Sequence, residues 1–593
     1  MKVVRVNKRL VVALVATVFI VIFCSVSFFT SSSPKADTER VPIRDINSRN
    51  KIRNEAELKE QLRHDTQKVE TEPGIEVIHE EERKIEEKEE KEEEEALKER
   101  EKPIGAGRGK DGKDGKDGKD GKDGKDGEND ERREKVVKMM LHAWYGYRNH
   151  TWGANEIKPI SKGINNQGIF GGSGMGATIV DAADTLWIMG LKEEYAQARD
   201  WIRDNFDMKT KATGSLSVFE TTIRFLGGLL SLHALTGEEF YIKKAQDVGD
   251  TLLLAFKTPT GIPHSTLNPQ SKRAENYGWA SGGMSILSEI GTLHLEFAQL
   301  SKVTKQPIFA KKVQKVRDAL DKAEKWEGLY PNYISPNNGR FTGNHISLGA
   351  LGDSFYEYLI KGWIYSNFTD TQAKRMYWDV SDKIQEKMVA KSHSGLTYLV
   401  ELRNGRSEHQ MGHLACFSVG MFALEAQYEK DEKRKEKVMS LAEELGSTCH
   451  ESYIRSETRI GPEMFYFQGN EDATAKNTGA NGYILRPEVI EGWFYLWRIT
   501  GKTKYRDWVW DAVEAIEKWC KKEGGYAGLQ NVYKPERGSD DVQQSFFLAE
   551  TLKYAYLTFT DNEVMDLSKW VFNTEAHPLP IDTEYTMPNT NDI

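Results

Sequence analysis

Hydrophobic and polar residues divide the chain into three stretches of different character. Leu10 to Phe29 is a run of 20 residues without a charged side chain. Residues 30 to about 132 are rich in charged and small residues and have no apolar stripe that could form a core. From residue 133 the chain consists of long amphipathic segments rich in Trp, Tyr and Leu, which predicts a helical domain.

The first stretch predicts a membrane anchor. Twenty helical residues rise about 30 Å, which is enough to cross the hydrocarbon core of a bilayer. Lys2, Arg5, Lys8 and Arg9 precede the run, and no charge follows it until Lys35. The positive-inside rule then predicts a cytosolic tail, residues 1–9, and a luminal remainder, which is a single-pass type II topology. A cleaved signal peptide is the alternative, although its apolar region is usually shorter, about 7–15 residues.

The second stretch, residues 30–132, predicts a hydrophilic spacer. Glu81–Arg100 contains 17 charged residues out of 20, and Gly109–Asp126 repeats Gly-Lys-Asp six times. The period of three is typical of collagen, but the run is short and lacks proline. A largely disordered stalk is therefore the main interpretation, and a trimerising collagen stem is the alternative.

The third stretch, residues 133–593, contains a repeated helical turn. Turn signals between apolar helical stretches occur near Gly190, Gly237, Lys305, Asp370, Asp431, Gly501 and Asp561, at spacings of 47, 68, 65, 61, 70 and 60 residues. Glycine at such a position suits a left-handed helix C-cap. Strand patterns are scarce, so the spacing predicts an all-α domain of seven helical hairpins. Such hairpins can close into an α/α toroid, although the spacing alone does not require closure.

Composition removes several functional classes. The chain of 593 residues has a net charge of -9 and four cysteines. The negative charge argues against an electrostatic nucleic-acid binder, and four cysteines are too few for a disulfide-dense scaffold. There is no Gly-rich phosphate loop, GxSxG elbow or HExxH motif, and His413 and His577 lack metal-ligand spacing.

Cysteines and glycosylation sequons agree with a luminal domain. Cys416 and Cys449 lie in predicted helical segments, and they could pair in an oxidising lumen. Cys520 is then the predicted free thiol. Asn149 and Asn367 each begin an Asn-X-Thr acceptor sequence.

Acidic residues recur near predicted helix starts, beside aromatic residues. Glu220, Asp353, Glu488 and Glu491 lie at such starts, Glu463 lies in a loop, and Glu575 lies near the C-terminus. Each alone fits a structural role, because an acidic first turn complements the helix dipole. In a ring of hairpins, however, several starts would converge at one end of the axis. Converging carboxylates repel unless a cation such as Ca²⁺ intervenes, and they can supply the acid and base of a glycosidase.

At these motifs the sequence resembles the class I α-1,2-mannosidases of glycoside hydrolase family 47, and within them the Golgi mannosidase I branch. The resemblance extends from about Met139 to Ile581 and includes FETTIRFLGGLL, LGDSFYEYL, GHLACFSVGMF, ILRPEVIEGWFYLWRITG and VFNTEAHPLP. It implies an (α/α)7 barrel, one bound Ca²⁺ and inverting hydrolysis of terminal α-1,2-linked mannose on high-mannose N-glycans. It also implies a Golgi membrane location rather than the endoplasmic reticulum.

The resemblance further implies roles for individual residues. Glu220 would be the general acid, acting through a water, with Asp353 as a rival candidate, and Glu488 would be the base. Thr574 would ligate Ca²⁺ through its hydroxyl and carbonyl oxygens. The implied substrate-binding residues are Arg224, Glu463, Arg486, Glu491, Phe546, Glu550, Glu575 and Leu351. The pair Cys416–Cys449 matches the family disulfide.

Leu351 bears on specificity, because the endoplasmic-reticulum branch carries an arginine at this position, two residues before Asp353. Leucine removes a fork of hydrogen-bond donors and leaves room. This favours trimming of several mannoses toward a five-mannose product. A mannose-binding lectin of glycoprotein quality control with the same fold is the alternative, but every catalytic position and Thr574 are filled here. The sequence does not indicate an oligomeric state.

Overall fold

The computed structural model describes residues 123–166, 168–469, 471–476 and 479–590. The predicted membrane run, residues 10–29, and residues 30–122 of the predicted stalk lie outside the described residues. Within the described part of the chain, no helix combines the length and the apolar character needed to cross a bilayer. The last residues of the predicted stalk belong to the first described helix, Asp123–Thr151.

Fourteen helices of seven or more residues form the framework of the described chain. They are α1 Asp123–Thr151, α2 Ala177–Ile188, α3 Lys192–Asn205, α4 Gly227–Thr236, α5 Phe240–Leu252, α6 His294–Thr304, α7 Ile308–Lys322, α8 Asp353–Tyr365, α9 Thr371–Lys387, α10 Ser418–Tyr428, α11 Glu432–Ile454, α12 Glu488–Thr500, α13 Lys504–Cys520 and α14 Leu552–Thr558. Two of them continue a π-helical turn. Thr221–Leu226, itself preceded by the helical turn Val218–Glu220, leads into α4, and Phe547–Thr551 leads into α14.

The strands are short, two or three residues each, and lie in the connections. They are β1 Glu156–Lys158, β2 Gly163–Asn165, β3 Leu216–Ser217, β4 Thr266–Asn268, β5 Arg273–Glu275, β6 Ser285–Ile286, β7 Tyr333–Ile334, β8 His345–Ile346, β9 Val389–Lys391, β10 Thr397–Leu399, β11 Glu401–Arg403, β12 Arg406–Glu408, β13 Gln410–Gly412, β14 Met464–Tyr466, β15 Lys521–Lys522, β16 Gly525–Tyr526, β17 Trp570–Phe572 and β18 Pro578–Pro580. All of their pairings are antiparallel, in small sheets such as β3-β4-β5 and β12-β11-β8.

Seven helices form a closed inner ring. Each contacts the next in the order α2, α4, α6, α8, α10, α12 and α14, and the π turn before α14 contacts α2. An inner helix is surrounded by protein on every side, as in α8, which is buried from Ser354 to Tyr365. The outer helices are amphipathic instead, as in α7, where buried residues alternate with partly exposed lysines. The closure that the turn spacing left open is therefore present.

Six of the predicted turns join an inner helix to the outer helix that follows it. In four of them the predicted turn residue itself lies in the left-handed region, namely Gly190, Gly237, Lys305 and Gly501. At the other two, the side chains of Asp370 and Asp431 accept hydrogen bonds from backbone N–H groups in the first turns of α9 and α11. Local capping chemistry thus explains why these positions were recognisable in the sequence.

The seventh helix pair joins the two ends of the domain. The turn predicted near Asp561 does end α14, but in the described chain it leads to β17 and not to another helix. The partner of α14 is α1, which packs against it from the start of the domain. The structure therefore has seven helix pairs, as predicted, but the last pair is not a hairpin.

A C-terminal hairpin, β17 and β18, enters the ring. Its strands contact α8 and α4, and its tip residues Asn573, Glu575 and His577 are no more than 2% exposed. A Cβ atom at Gly227 would lie 2.5 Å from the side-chain nitrogen Nδ2 of Asn573. Glycine at this position of α4 therefore allows the hairpin tip, residues 573–577, to approach the helix inside the ring.

The cysteine predictions are confirmed. Cys416 and Cys449 form a disulfide that links the 3₁₀ turn before α10 to α11. Cys520, the last residue of α13, is a buried free thiol. Both sequon asparagines, Asn149 and Asn367, are exposed, and their glycosylation remains a prediction.

Candidate active site

The predicted carboxylates lie where the inner helices begin. Glu220 ends the helical turn that leads into α4, Asp353 and Glu488 are the first residues of α8 and α12, and Glu550 lies in the π turn before α14. Because the outer helices return the chain each time, these starts share one end of the ring. Pro487 immediately precedes α12, one position earlier than the predicted first-turn placement. π turns are frequent at functional sites because they shift side chains out of helical register.

Glu488 is held as an anion. Its Oε2 lies 2.8 Å from His413 Nδ1, and the other ring nitrogen of His413 lies 2.8 Å from the Tyr453 hydroxyl. Arg486 Nη1 lies 3.9 Å from Glu488 Oε1. Burial acts to raise the pKa of Glu488, but His413 and Arg486 outweigh it and hold the pKa below its ordinary value. Glu488 is thus an ionised carboxylate at neutral pH.

Asp353 has the opposite environment. Burial raises its pKa to about 7, and the negative charges of Glu357 and Glu488 act in the same direction. Only the N–H and hydroxyl of Ser354 donate to its side chain among the described residues. Two neighbouring carboxyl groups whose surroundings separate their pKa values are the arrangement expected of an acid and a base.

Glu220 is paired with Arg224 one helical turn later. Arg224 Nε donates to Glu220 Oε2 at 2.8 Å, and the same guanidinium contacts Asp181 and Glu575. The centre of the guanidinium lies 5.6 Å from the centroid of the Phe546 ring. This ion pair fixes the direction of the Glu220 carboxylate.

A second group of carboxylates lies deeper in the ring. Glu491, Glu550 and Glu575 are only 2–6% exposed. Burial raises the pKa of Glu491, with Glu357 adding to the effect, and burial together with Glu575 and Glu488 raises the pKa of Glu550 well above its ordinary value. The Lys361 ammonium pairs with Glu357 and lies 3.8 Å from Glu491. The Arg224 guanidinium contacts Glu575, and the pKa values of Glu491 and Glu550 remain raised in spite of these two cations, which favours a further cation.

Thr574 at the hairpin tip offers oxygen donors beside these carboxylates. Its backbone N–H donates to the Tyr358 hydroxyl at 3.3 Å. Its own hydroxyl and carbonyl oxygens make no hydrogen bond to any described residue. Across the described ranges, no group of three or more His, Cys, Asp or Glu side chains is arranged to hold a metal directly. The donor set therefore fits a hard cation bound directly by Thr574 and, through waters, by carboxylates, as Ca²⁺ permits.

The remaining predicted residues line the same end of the ring. Glu463, in the loop before β14, accepts from Arg486 Nε at 2.7 Å. Leu351 has a φ of 80° and Leu485 a φ of 69°. Bulky residues rarely adopt the left-handed region, and such strain clusters at functional sites. Both leucines lie two or three residues before a catalytic candidate.

Three features of the site were missed by sequence reasoning. The sequence shows that His413 lacks metal-ligand spacing but does not indicate that it is the hydrogen-bond partner of Glu488. No motif indicates that Asp181 on α2 contacts Arg224. Tyr277 and Trp279 form a stacked pair, 5.3 Å between ring centroids, in a Gly-rich loop, and Trp279 is 53% exposed. The abundance of aromatic residues was the available signal for this pair, but it did not identify positions.

Comparison with known proteins gives consistent results. The family model "Glycosyl hydrolase family 47" matches residues 139–581. The chain is 68% identical over 450 residues to "Mannosyl-oligosaccharide 1,2-alpha-mannosidase mans-2" of Caenorhabditis elegans, with 76% of each chain covered. It is 50% identical over 447 residues to "Mannosyl-oligosaccharide 1,2-alpha-mannosidase IB" of Homo sapiens, with 75% of this chain and 69% of that protein covered. The structure is similar to an alpha-1,2-mannosidase from Trichoderma reesei, with a TM-score of 0.70 and 29% identity over 77% of this chain and 99% of that chain.

Proposed function

The chain belongs to glycosyl hydrolase family 47, and on that premise we propose that it removes terminal α-1,2-linked mannose from high-mannose N-glycans with inversion. The observation that carries the proposal is the pair of carboxyl groups with opposed environments, Asp353 and Glu488, at one end of the ring. Inverting hydrolysis requires one carboxylic acid to protonate the leaving oxygen and one carboxylate to activate water.

Glu488 is the general base. The hydrogen bond from His413 and the proximity of Arg486 keep it ionised, so it can take a proton from water. Its position at the start of α12 also fixes its direction, because the inner helices are rigidly packed. The water that it activates attacks the anomeric carbon of the terminal mannose, and the Glu488 carboxylate receives the proton.

Asp353 is the better-supported proton donor. The resemblance placed Glu220 first and Asp353 second, but a donor must be protonated at the working pH. The pKa of Asp353 near 7 meets this condition, whereas Glu220 is engaged in an ion pair with Arg224. Glu220 then helps to orient the substrate, and Phe546, beside Arg224, offers an apolar face to the terminal sugar.

Ca²⁺ is the proposed cofactor. Thr574 would bind it directly, and Glu491, Glu550 and Glu575 would hold its waters. The ion supplies positive charge that binds and polarises sugar hydroxyls. The chain's own residues supply the rest. Tyr358 fixes the backbone at Thr574, and Asn573 anchors the tip to the π turn before α4 through the carbonyl of Ile223.

Chelation should lower stability in a pH-dependent way. Without the ion, the raised pKa values of Glu491 and Glu550 mean that the folded state binds more protons than the unfolded one, so stability is lost as pH rises from about 4.5 toward about 8. We expect the melting temperature of the chelated, full-length protein to fall as pH rises from 5 to 8. The difference in melting temperature between Ca²⁺-loaded and chelated protein, the gap, should widen over the same range. A gap that narrows with rising pH would contradict the assignment. Thr574→Val keeps the shape but removes the hydroxyl, and it should shrink the gap without changing the chelated protein.

Leu351 sets the proposed extent of trimming. It is partly exposed two residues before Asp353, and its carbonyl accepts from Ser288 at 3.0 Å, so its backbone is held in place. An apolar side chain there places no fixed donors in the path of glycan branches. The stacked Tyr277 and Trp279 offer a flat aromatic face on which a sugar ring can lie.

The direct test is digestion of a nine-mannose glycan by the full-length protein, followed by mass spectrometry. We expect stepwise loss of mannoses to five in the presence of Ca²⁺ and no cleavage with a chelator. Leu351→Arg should slow the later steps and cause intermediates with more mannoses to accumulate, while the first cleavage proceeds. Trimming by the unaltered protein that stops at eight mannoses would refute the specificity proposal only. Glycan binding without cleavage would favour the lectin alternative.

Membrane anchoring and Golgi location complete the proposal. The uncharged run at residues 10–29 with basic residues before it supports a single-pass type II anchor, and residues 30–122 would hold the barrel away from the membrane. The disulfide between Cys416 and Cys449 agrees with a luminal domain.

A further inference from the structure

A row of buried charges crosses the ring below Glu220, and we call it the floor network. It consists of Lys553, Asp184, His577, Asp181 and Arg224, all no more than 7% exposed. Lys553 Nζ lies 2.8 Å from Asp184 Oδ1, and His577 Nδ1 lies 2.7 Å from Asp184 Oδ2. On its other side, His577 Nε2 lies 3.5 Å from Asp181 Oδ1, and Asp181 Oδ2 lies 3.3 Å from Arg224 Nη1. The charges therefore alternate in sign along the row, which ends at Glu220.

His577 is a cation in this row. Burial acts to lower its pKa, but Asp184 and Asp181 hold it at about 9. The other charged groups that face it are Lys553 from α14, Glu296 from α6 and its neighbour Glu575. His577 Nδ1 donates to Asp184, whereas Nε2 and Asp181 Oδ1, 3.5 Å apart, attract each other as opposite charges without a hydrogen bond.

Arg224 is shared among three carboxylates. It donates from Nε to Glu220, and from Nη1 to Asp181 and Glu575. Asp181 has another partner in the Ser545 hydroxyl, which in turn accepts from Arg224 at 3.2 Å. Since a single guanidinium serves all three, any group that neutralises Asp181 leaves more of the Arg224 charge for Glu220.

We propose that Asp181 and His577 are opposing positioning residues that set how firmly Arg224 holds the Glu220 carboxylate. The negative charge of Asp181 attracts the guanidinium toward α2. The positive charge of His577 offsets part of the Asp181 charge and so weakens that attraction. Neither side chain touches substrate, so both act through Arg224. The inference rests on the proposed function only in that Glu220 must take part in turnover.

The test compares pH profiles of kcat for the full-length protein and two variants. The limb that Glu220 controls is first identified as the one lost in Glu220→Gln. His577→Gln should move this limb to higher pH by about one unit, because Arg224 then shifts toward the unneutralised Asp181. Asp181→Asn should move it to lower pH by a similar amount, because Arg224 is left to Glu220. Limbs that stay in place while kcat falls would show a merely structural role and overturn the inference.

The double variant separates action through Arg224 from direct repulsion or attraction at Glu220. If His577 acts by neutralising Asp181, the His577→Gln change should have little further effect once Asp181→Asn is present. Additive shifts would instead indicate that each charge acts on Glu220 independently, and they would overturn the inference. His450→Gln is the matched control, since this partly buried histidine on the outer helix α11 stacks on Trp508 and should leave the limb unmoved.

A milder variant keeps the test decisive if His577→Gln does not fold. Ser545→Ala removes a hydroxyl that donates a hydrogen bond to Asp181. The ion pair between Asp181 and Arg224 should then strengthen at the expense of Glu220, and the limb should again move to higher pH. An inactive, correctly folded wild-type protein would refute the proposed function. If the wild type is active and neither Ser545→Ala nor Asp181→Asn moves the limb along the pH axis, only the opposing roles of Asp181 and His577 are refuted.

Discussion

Replacing Glu488 with glutamine should reduce kcat on a high-mannose glycan by about 10³-fold, within the range typical of a lost general base. The amide keeps the size of the side chain and can still face His413, so the barrel should remain folded. It cannot accept a proton from water, because the carboxylate that His413 and Arg486 hold ionised is gone. KM should change little, since the loss concerns the transition state more than binding.

The measurement is single-turnover hydrolysis at saturating glycan, with the melting temperature recorded in parallel. Glu514→Gln is the matched control, because this exposed glutamate on the outer helix α13 lies away from the site. It should retain full activity. A Glu488→Gln protein that keeps more than about a tenth of the wild-type rate would remove Glu488 from the role of base.

Asp353→Asn should lower kcat by about 10²–10³-fold and abolish the decline of the wild-type rate at alkaline pH. The wild-type decline is expected because Asp353, with a pKa of about 7, loses its proton as pH rises through that value. Asparagine has no such proton, so the residual rate should not show this limb. Rates of both proteins from pH 5 to pH 9 provide the measurement.

The same substitution should not destabilise the protein at alkaline pH. The pKa of Asp353 is raised in the folded state, so wild-type stability falls as pH rises from about 4 through about 7. The neutral amide removes that loss, and the Asp353→Asn protein should melt at the same temperature as the wild type or higher at pH 8. Glu220→Gln is the comparison for activity. If Glu220→Gln loses the alkaline limb and Asp353→Asn keeps it, Glu220 is the proton donor.

The elements that the sequence predicted are those encoded locally. Gly237 and Gly501 ended helices because a left-handed cap needs no distant partner, and Asp370 and Asp431 capped helices with their own side chains. The helix starts that hold the carboxylates were recognisable for the same reason. Their convergence followed from the repetition of hairpins, which places alternate helix starts at the same end.

The features that the sequence did not predict depend on contacts between distant residues. Arg224 and Glu575 are 351 positions apart, and His577 and Asp184 are 393 positions apart. No local pattern indicates such pairs, because they form only when the hairpin tip enters a closed ring. His413 illustrates the same limit, since its role depends on Glu488, 75 positions later. Family resemblance supplied the roles of single residues but not the charges that surround them.

The pairing of α1 with α14 has a consequence for biosynthesis. Gln543, just before α14, donates from its side chain to the carbonyl of Ala143 on α1, across 400 positions of chain. The first helix of the domain, α1, therefore cannot complete its packing until α14, the last of the fourteen helices, has been synthesised. The apolar face around Met140 and Trp144 stays uncovered until then. Nascent chains should depend on luminal chaperones until translation ends. A message cut short before α14 should then yield a degraded product and not a partly active one.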